Sequence, residues 1–155
     1  MMKFLEILRI SILEVLIGFL TYYFLVNNSE VVEFISSRIF IPTKELSDYL
    51  KLFGLPVAIL AMNYKYGNEI LNPSDKDNKK KLKDFPLYWR LKYRVWYSIL
   101  VSLFMILGTI LCWYYAITTN NQYFYTILIM VFLSISLTTF LSMAKARLEI
   151  KDILY

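Results

Sequence analysis

The sequence has no histidine and a single cysteine, Cys112, set inside an apolar run. Without histidine there is no Ser-His-Asp or Cys-His catalysis and no imidazole metal site. One cysteine excludes an intramolecular disulfide and a cysteine metal cluster. Glycine is also scarce, with four residues at positions 18, 54, 67 and 108, and none is spaced as a phosphate-cradling loop. Tyr and Asp residues occur in the hydrophilic stretch, but nothing there pairs with them. We therefore assign no catalytic, cofactor-binding or metal-ligating residue, and expect a protein that is not an enzyme and carries no cofactor.

Charge is the next shortage. Only 19% of the 155 residues are charged and 58% are apolar, against about 25% and 45–50% in an ordinary soluble domain. A chain this short is one domain, with too little interior to hide so much apolar surface. Lipid is the solvent that such a composition fits. Thirteen Tyr and eleven Phe add aromatic rings of the kind that gather at membrane–water interfaces. Abundant Lys, Asn, Ile and Tyr suggest a low-GC bacterial genome, and hence the bacterial inner membrane.

Four apolar spans can be drawn. Residues 7–26 have the length of a bilayer crossing. They end in Thr21-Tyr22-Tyr23-Phe24-Leu25-Val26, too bulky for signal peptidase, so we read an uncleaved helix. Residues 27–43 connect it onward, and their apolar pairs alternate with Glu30, Glu33 and Arg38; a short amphipathic helix on the membrane surface is preferred to a hairpin. Residues 44–64 make the second span. Lys44, Asp48 and Lys51 share one face and Pro56 falls inside it, so it either crosses or is re-entrant. Residues 65–94 form a basic loop, followed by spans at 95–117 and 123–144 and an amphipathic tail at 145–155. The uncharged link at 118–122 makes the last two spans an antiparallel hairpin.

The seventeen Lys and Arg set the orientation. With four crossings, fourteen fall on one side and three on the other, and the richer side belongs in the cytoplasm. The fold expected is therefore all-α: a polytopic four-helix membrane bundle of two hairpins, with both ends inside.

Polar residues follow helical spacing within the spans. Ser11, Glu14, Gly18 and Thr21 share a face of the first; Ser98, Ser102, Met105, Thr109 and Cys112 share one of the third; Ser134, Thr138, Ser142 and Ala146 share one of the fourth. In lipid, small and polar faces are where helices meet, so packing is the plain reading and a polar pore lining the sharper one. Glu14 stands out, because a carboxylate at the bilayer centre costs roughly 2.5–3.5 kcal/mol. It invites a role as a proton or ion site, or as partner to a basic residue on another helix. The plain alternative is an interfacial acid, since it lies only about 7.5 Å beyond Arg9 at the helical rise.

The basic loop carries Lys76, Lys79, Lys80, Lys81 and Lys83, then Trp89, Arg90, Lys92 and Arg94 among aromatic residues. Topology and lipid headgroup contact explain it most simply. Docking of a cytosolic protein partner is the next reading, and nucleic-acid binding the weakest.

The order of elements (span 7–26, outer segment, span 44–64, basic loop, hairpin 95–144, and the tail from Lys145) resembles small four-helix membrane proteins of bacterial defence and immunity. The membrane component of the two-gene Kiwa anti-phage system is one such protein, and the immunity proteins for pore-forming colicins are others. The resemblance covers the whole chain at the level of topology and carries no residue across. It implies a homo-oligomeric membrane sensor in antiviral defence, partnered with a cytosolic effector.

Overall fold

A computed structural model describes residues 2–40, 46–73, 82, 84 and 88–154. Among them all regular structure is helical. Helix α1 spans Met2–Val26, α2 Ser29–Ile39, α3 Leu46–Leu71, α4 Tyr88–Thr119 and α5 Gln122–Leu154.

The boundaries have local causes. Helix α1 stops where the side-chain amides of Asn27 and Asn28 donate to the carbonyls of Tyr23 (2.8 Å) and Phe24 (2.7 Å). The Tyr23 carbonyl also accepts the Asn27 backbone amide at 3.2 Å, and the side-chain amides serve the last-turn carbonyls that run short of partners at a helix end. The chain then turns by 98° into α2. The α4–α5 connection is equally short. Asn120 takes a left-handed conformation at φ 54°, which Asn tolerates better than other side chains. The next residue, Asn121, accepts the Phe124 amide at 3.4 Å through its side chain and so caps α5.

Helix α5 packs against all four other helices, α3 also packs on α4, and α1 on α2. The register follows from individual contacts. Gly108 of α4 faces Phe132 of α5 and Tyr115 stacks on Tyr125, so these two helices are antiparallel. Gly18 of α1 faces Ile135 and Val131, and Leu25 clusters with Ile127, so α1 is antiparallel to α5 as well. Helix α3 runs from Phe53 against Trp113 to Gly67 against Val95. It lies antiparallel to α4 over most of that helix. Pro56 is buried within the uninterrupted helix α3.

Apolar clusters close both ends of the bundle. Ile39, Phe40, Cys112, Ala116 and Ile129 pack at the Asn120 end. Ile70, Val95, Met143 and Ala146 pack at the Arg94 end. Between them the core is largely polar: Glu14, Asn63, Ser98, Ser102, Thr109, Ser136, Thr138 and Thr139 are all buried. Large apolar side chains face outward instead, among them Leu16 and Phe19 on α1 and Phe104 and Leu111 on α4. Such an inverted distribution suits lipid rather than water.

Helices α4 and α5 are long and apolar enough to cross a membrane, and a third span is reached if the bent α1–α2 pair counts as one. Helix α3 falls short on apolar content, because Asn63, Lys65, Asn68 and Glu69 interrupt its later half. The expected stretch 27–43 yields a true helix at Ser29–Ile39. Residues 41–45, including Lys44, lie outside the described residues.

Close approach at glycine is testable. A Cβ on Gly67 would sit 2.5 Å from Val95 Cγ1, whereas one on Gly54 would meet nothing within 4 Å. The β-branched Val95 is stiff and cannot swing away. Gly67→Ala should therefore lower stability by about 1–3 kcal/mol, and Gly54→Ala should be neutral or slightly stabilising. Thermal unfolding of the two variants in detergent, followed by circular dichroism, distinguishes them.

Candidate functional site

The buried polar layer begins with Glu14. Its side chain is only 4% exposed, because it shares the α1 face of Ser11, Gly18 and Thr21 that turns toward α5. Gly18 is buried, and Ser11 and Thr21 are half-buried. The glycine lets α1 approach Ile135 closely, and Glu14, one turn earlier, comes level with Thr138 and Thr139 on antiparallel α5. Its Oε2 has no hydrogen-bond partner.

The groups around Glu14 come mainly from α4. Ser11 is hydrogen-bonded to the Tyr97 hydroxyl, and Tyr97 lies within electrostatic reach of Glu14. Arg94 is also within reach of the carboxylate, yet its guanidinium is committed elsewhere. Its Nε donates to Ser142 Oγ at 3.1 Å, and its Nη2 donates to both the Ser142 carbonyl (3.0 Å) and Oγ (2.5 Å). Arg94 thus ties α4 to α5 from inside the bundle. Arg94, singled out above for docking, is turned inward. Lys92 and Trp89 are exposed, and Arg90 is half-buried with its guanidinium over the Trp89 ring, 5.7 Å from the centroid. Lys76, Lys79, Lys80, Lys81 and Lys83 lie outside the described residues.

A second polar contact joins α3 to α4. Asn63, fully buried, donates through Nδ2 to Ser102 Oγ at 2.7 Å, and its Oδ1 has no hydrogen-bond partner. Because Gly67 faces Met143, Asn63, one turn earlier on parallel α3, comes level with Thr139. The same layer of α5 therefore sits between Glu14 on one neighbour and Asn63 on another.

The remaining stripe residues bond within their own helices. Thr109 donates to Met105, Ser134 to Val131, Thr138 to Ser134 and Thr139 to Ser136, each carbonyl lying 2.7–2.8 Å away. Ser98 is buried at the α4 face that receives α3. Their hydroxyls cost little to bury and allow close packing, without cross-linking helices.

Three residues were not singled out from the sequence pattern. Glu69 of α3 accepts Arg147 Nε of α5 at 2.6 Å, and the Arg147 guanidinium also lies 4.6 Å from the Tyr66 ring centroid. Asn63 could have been found as an amide inside an apolar run; Glu69 and Arg147 are 78 residues apart in sequence, and only packing brings them together. Among the described residues, no group of three or more His, Cys, Asp or Glu is placed to hold a metal ion.

Chemically, the layer holds one acid, one guanidinium, one phenol and an amide, with two acceptor oxygens, Glu14 Oε2 and Asn63 Oδ1, left without partners. Ser102→Ala should strand Asn63 Nδ2 and cost about 0.6–2 kcal/mol. Thr109→Val, which removes a bond only to its own helix, should change stability by less than about 0.5 kcal/mol. Parallel unfolding titrations of the two variants in mixed micelles provide the check.

Compared with known proteins, the chain matches no family model, no curated protein and no solved structure.

Proposed function

We propose that this is a four-span protein of the bacterial inner membrane, with the start of α1 and the end of α5 in the cytoplasm. It serves as a non-enzymatic sensor or scaffold. In this reading it forms homo-oligomers and signals to, or recruits, a cytosolic partner through the basic loop at 65–94 and the tail at 145–155. The resemblance to the Kiwa membrane component is the ground for placing that role in anti-phage defence.

The observation that carries the reading is the direction in which the polar stripes face. Those of α1, α4 and α5 are all spent inside one bundle, and the outer faces left to lipid are apolar. What remains for a partner is the basic end. Lys65, Asp84 and Lys92 are exposed there, and Lys145 pairs with Glu149 in the open, 75% and 57% exposed. At the opposite end the link from Thr118 to Asn121 is exposed and uncharged, while α2 exposes Glu30, Glu33 and Arg38.

The membrane placement has its own support. Trp96 and Tyr114 on α4 are both exposed and lie about 27 Å apart at the helical rise, close to the roughly 30 Å hydrocarbon core. Helix α3 runs beside α4 across that interval, which favours a full crossing despite its polar residues. The 98° turn lays α2 across the bundle at the level of Ala116 and Ile127, as an interfacial helix rather than a continuation of α1.

A second reading, an oligomeric pore or ion-conducting effector, draws on Glu14 alone. It requires expression to depolarise cells and Glu14→Gln to abolish that effect.

Two measurements test the main reading. Asn120→Cys should react with a membrane-impermeant thiol reagent in intact spheroplasts, and Lys79→Cys only after lysis, both on a Cys112→Ala background; the reverse pattern rejects the topology. A tagged chain captured from native membranes should bring one stoichiometric soluble protein, and reversing the charge of Lys79, Lys80 and Lys81 should reduce its recovery at least tenfold. Capture of a homo-oligomer alone favours the pore.

A further inference from the structure

The hydrogen-bond inventory around Glu14 is short of donors. Ser11 is engaged with Tyr97. The Thr138 and Thr139 hydroxyls donate to carbonyls of their own helix. The Arg94 Nε and Nη2 groups are spent on Ser142. A buried ionised carboxylate needs donors for its lone pairs; the Glu14 backbone amide serves the carboxyl group, but Oε2 has none. A neutral carboxylic acid removes the charge and brings a donor of its own to a layer with acceptors to spare.

The ionisable surroundings are sparse. Helix α5, which covers this face of α1, has no ionisable side chain between Tyr125 and Lys145. Helix α1 has none besides Glu14 from Ser11 to Thr21. Helix α4 supplies Arg94 and Tyr97, with Tyr93 stacked on Tyr97 at 6.1 Å, and α2 packs at the far end of the bundle. Among the side chains the structure describes, Arg94 is thus the cation within reach of Glu14, and it already holds an alternative acceptor.

We propose that Glu14 is a proton-binding site inside the bundle, and that Arg94 is shared between two acceptors according to whether the proton is present. With Glu14 protonated, Arg94 clamps Ser142 and joins α4 to α5, which is the arrangement seen. When the proton leaves, the carboxylate draws the guanidinium off Ser142 and toward α1. Arg94 lies at the mouth of the basic loop, so the exchange shifts the end of α4 from which that loop departs. Proton binding inside the membrane is thereby coupled to the surface proposed for docking. The site itself does not depend on any partner being found.

The experiment is infrared difference spectroscopy of the full chain in lipid vesicles, titrated with pH. A protonated carboxylic acid has a carbonyl stretch well separated from carboxylate bands. The expected result is one such band that disappears on raising the pH and is absent in the isosteric Glu14→Gln. Arg94→Gln should move its midpoint up by about one pH unit, because a nearby cation favours the carboxylate. Arg94→Lys should stay near the wild type, and Ser142→Ala should move it down by freeing the guanidinium. The proposal is overturned if no band depends on Glu14, if that band does not titrate, or if its midpoint follows sodium or potassium concentration. A midpoint unmoved in both Arg94→Gln and Ser142→Ala overturns the shared-arginine part. Circular dichroism of each variant, recorded beside the spectra, separates these outcomes from loss of fold.

Discussion

Four helices lean on α5, and they can do so only because the surfaces that meet it are small or already hydrogen-bonded. Lipid removes the hydrophobic reason for helices to associate, so contact depends on close packing and on polar groups that find partners. Gly18 and Gly67 bring backbones near enough for Ile135 and Val95 to fill the space. The Thr and Ser hydroxyls of α5 turn back onto their own carbonyls, presenting neighbours with a surface that needs nothing. Against that quiet background the Arg94–Ser142, Asn63–Ser102 and Ser11–Tyr97 contacts are polar ties between helices.

The same constraint makes Glu14 conspicuous. In water an unmatched carboxylate would be hydrated at little cost, but inside this layer the Thr138 and Thr139 hydroxyls donate to their own helix and Glu14 Oε2 is left without a partner. Either a proton or Arg94 must answer it, and Arg94 cannot serve Glu14 and Ser142 with the same N–H groups. A layer short of donors is thus a place where one proton can redistribute contacts among three helices. The apolar clusters at either end keep the middle closed while that happens.

Functionally, the molecule divides into a polar interior, an apolar girdle, a basic end, and an opposite end where α2 exposes Glu30, Glu33 and Arg38. A protein of this kind offers lipid its sides and offers other proteins only its ends. That division, more than any single residue, is why recruitment at the basic end is a stronger reading than conduction along the stripes. Conduction would need the stripes to face one another between protomers, whereas here they face inward within one.

Much of this was legible from composition and spacing. Excess apolar content, the uncharged hinge at 118–122 and the three-four spacing of Ser11, Glu14, Gly18 and Thr21 follow from chain chemistry, because helix period and membrane thickness are fixed by geometry independent of partners. Two spans at α4 and α5 are long and apolar enough to be recognised without coordinates. The polar run in α3 is different: its place beside α4 becomes clear only when Phe53 meets Trp113 and Gly67 meets Val95. Arg94 reads as one more base in a basic loop, yet tertiary packing turns it inward onto Ser142, forty-eight residues away. Periodicity tells which residues share a face of one helix; which helix that face meets, and which donors are left over when they have met, depends on contacts between segments remote in the chain.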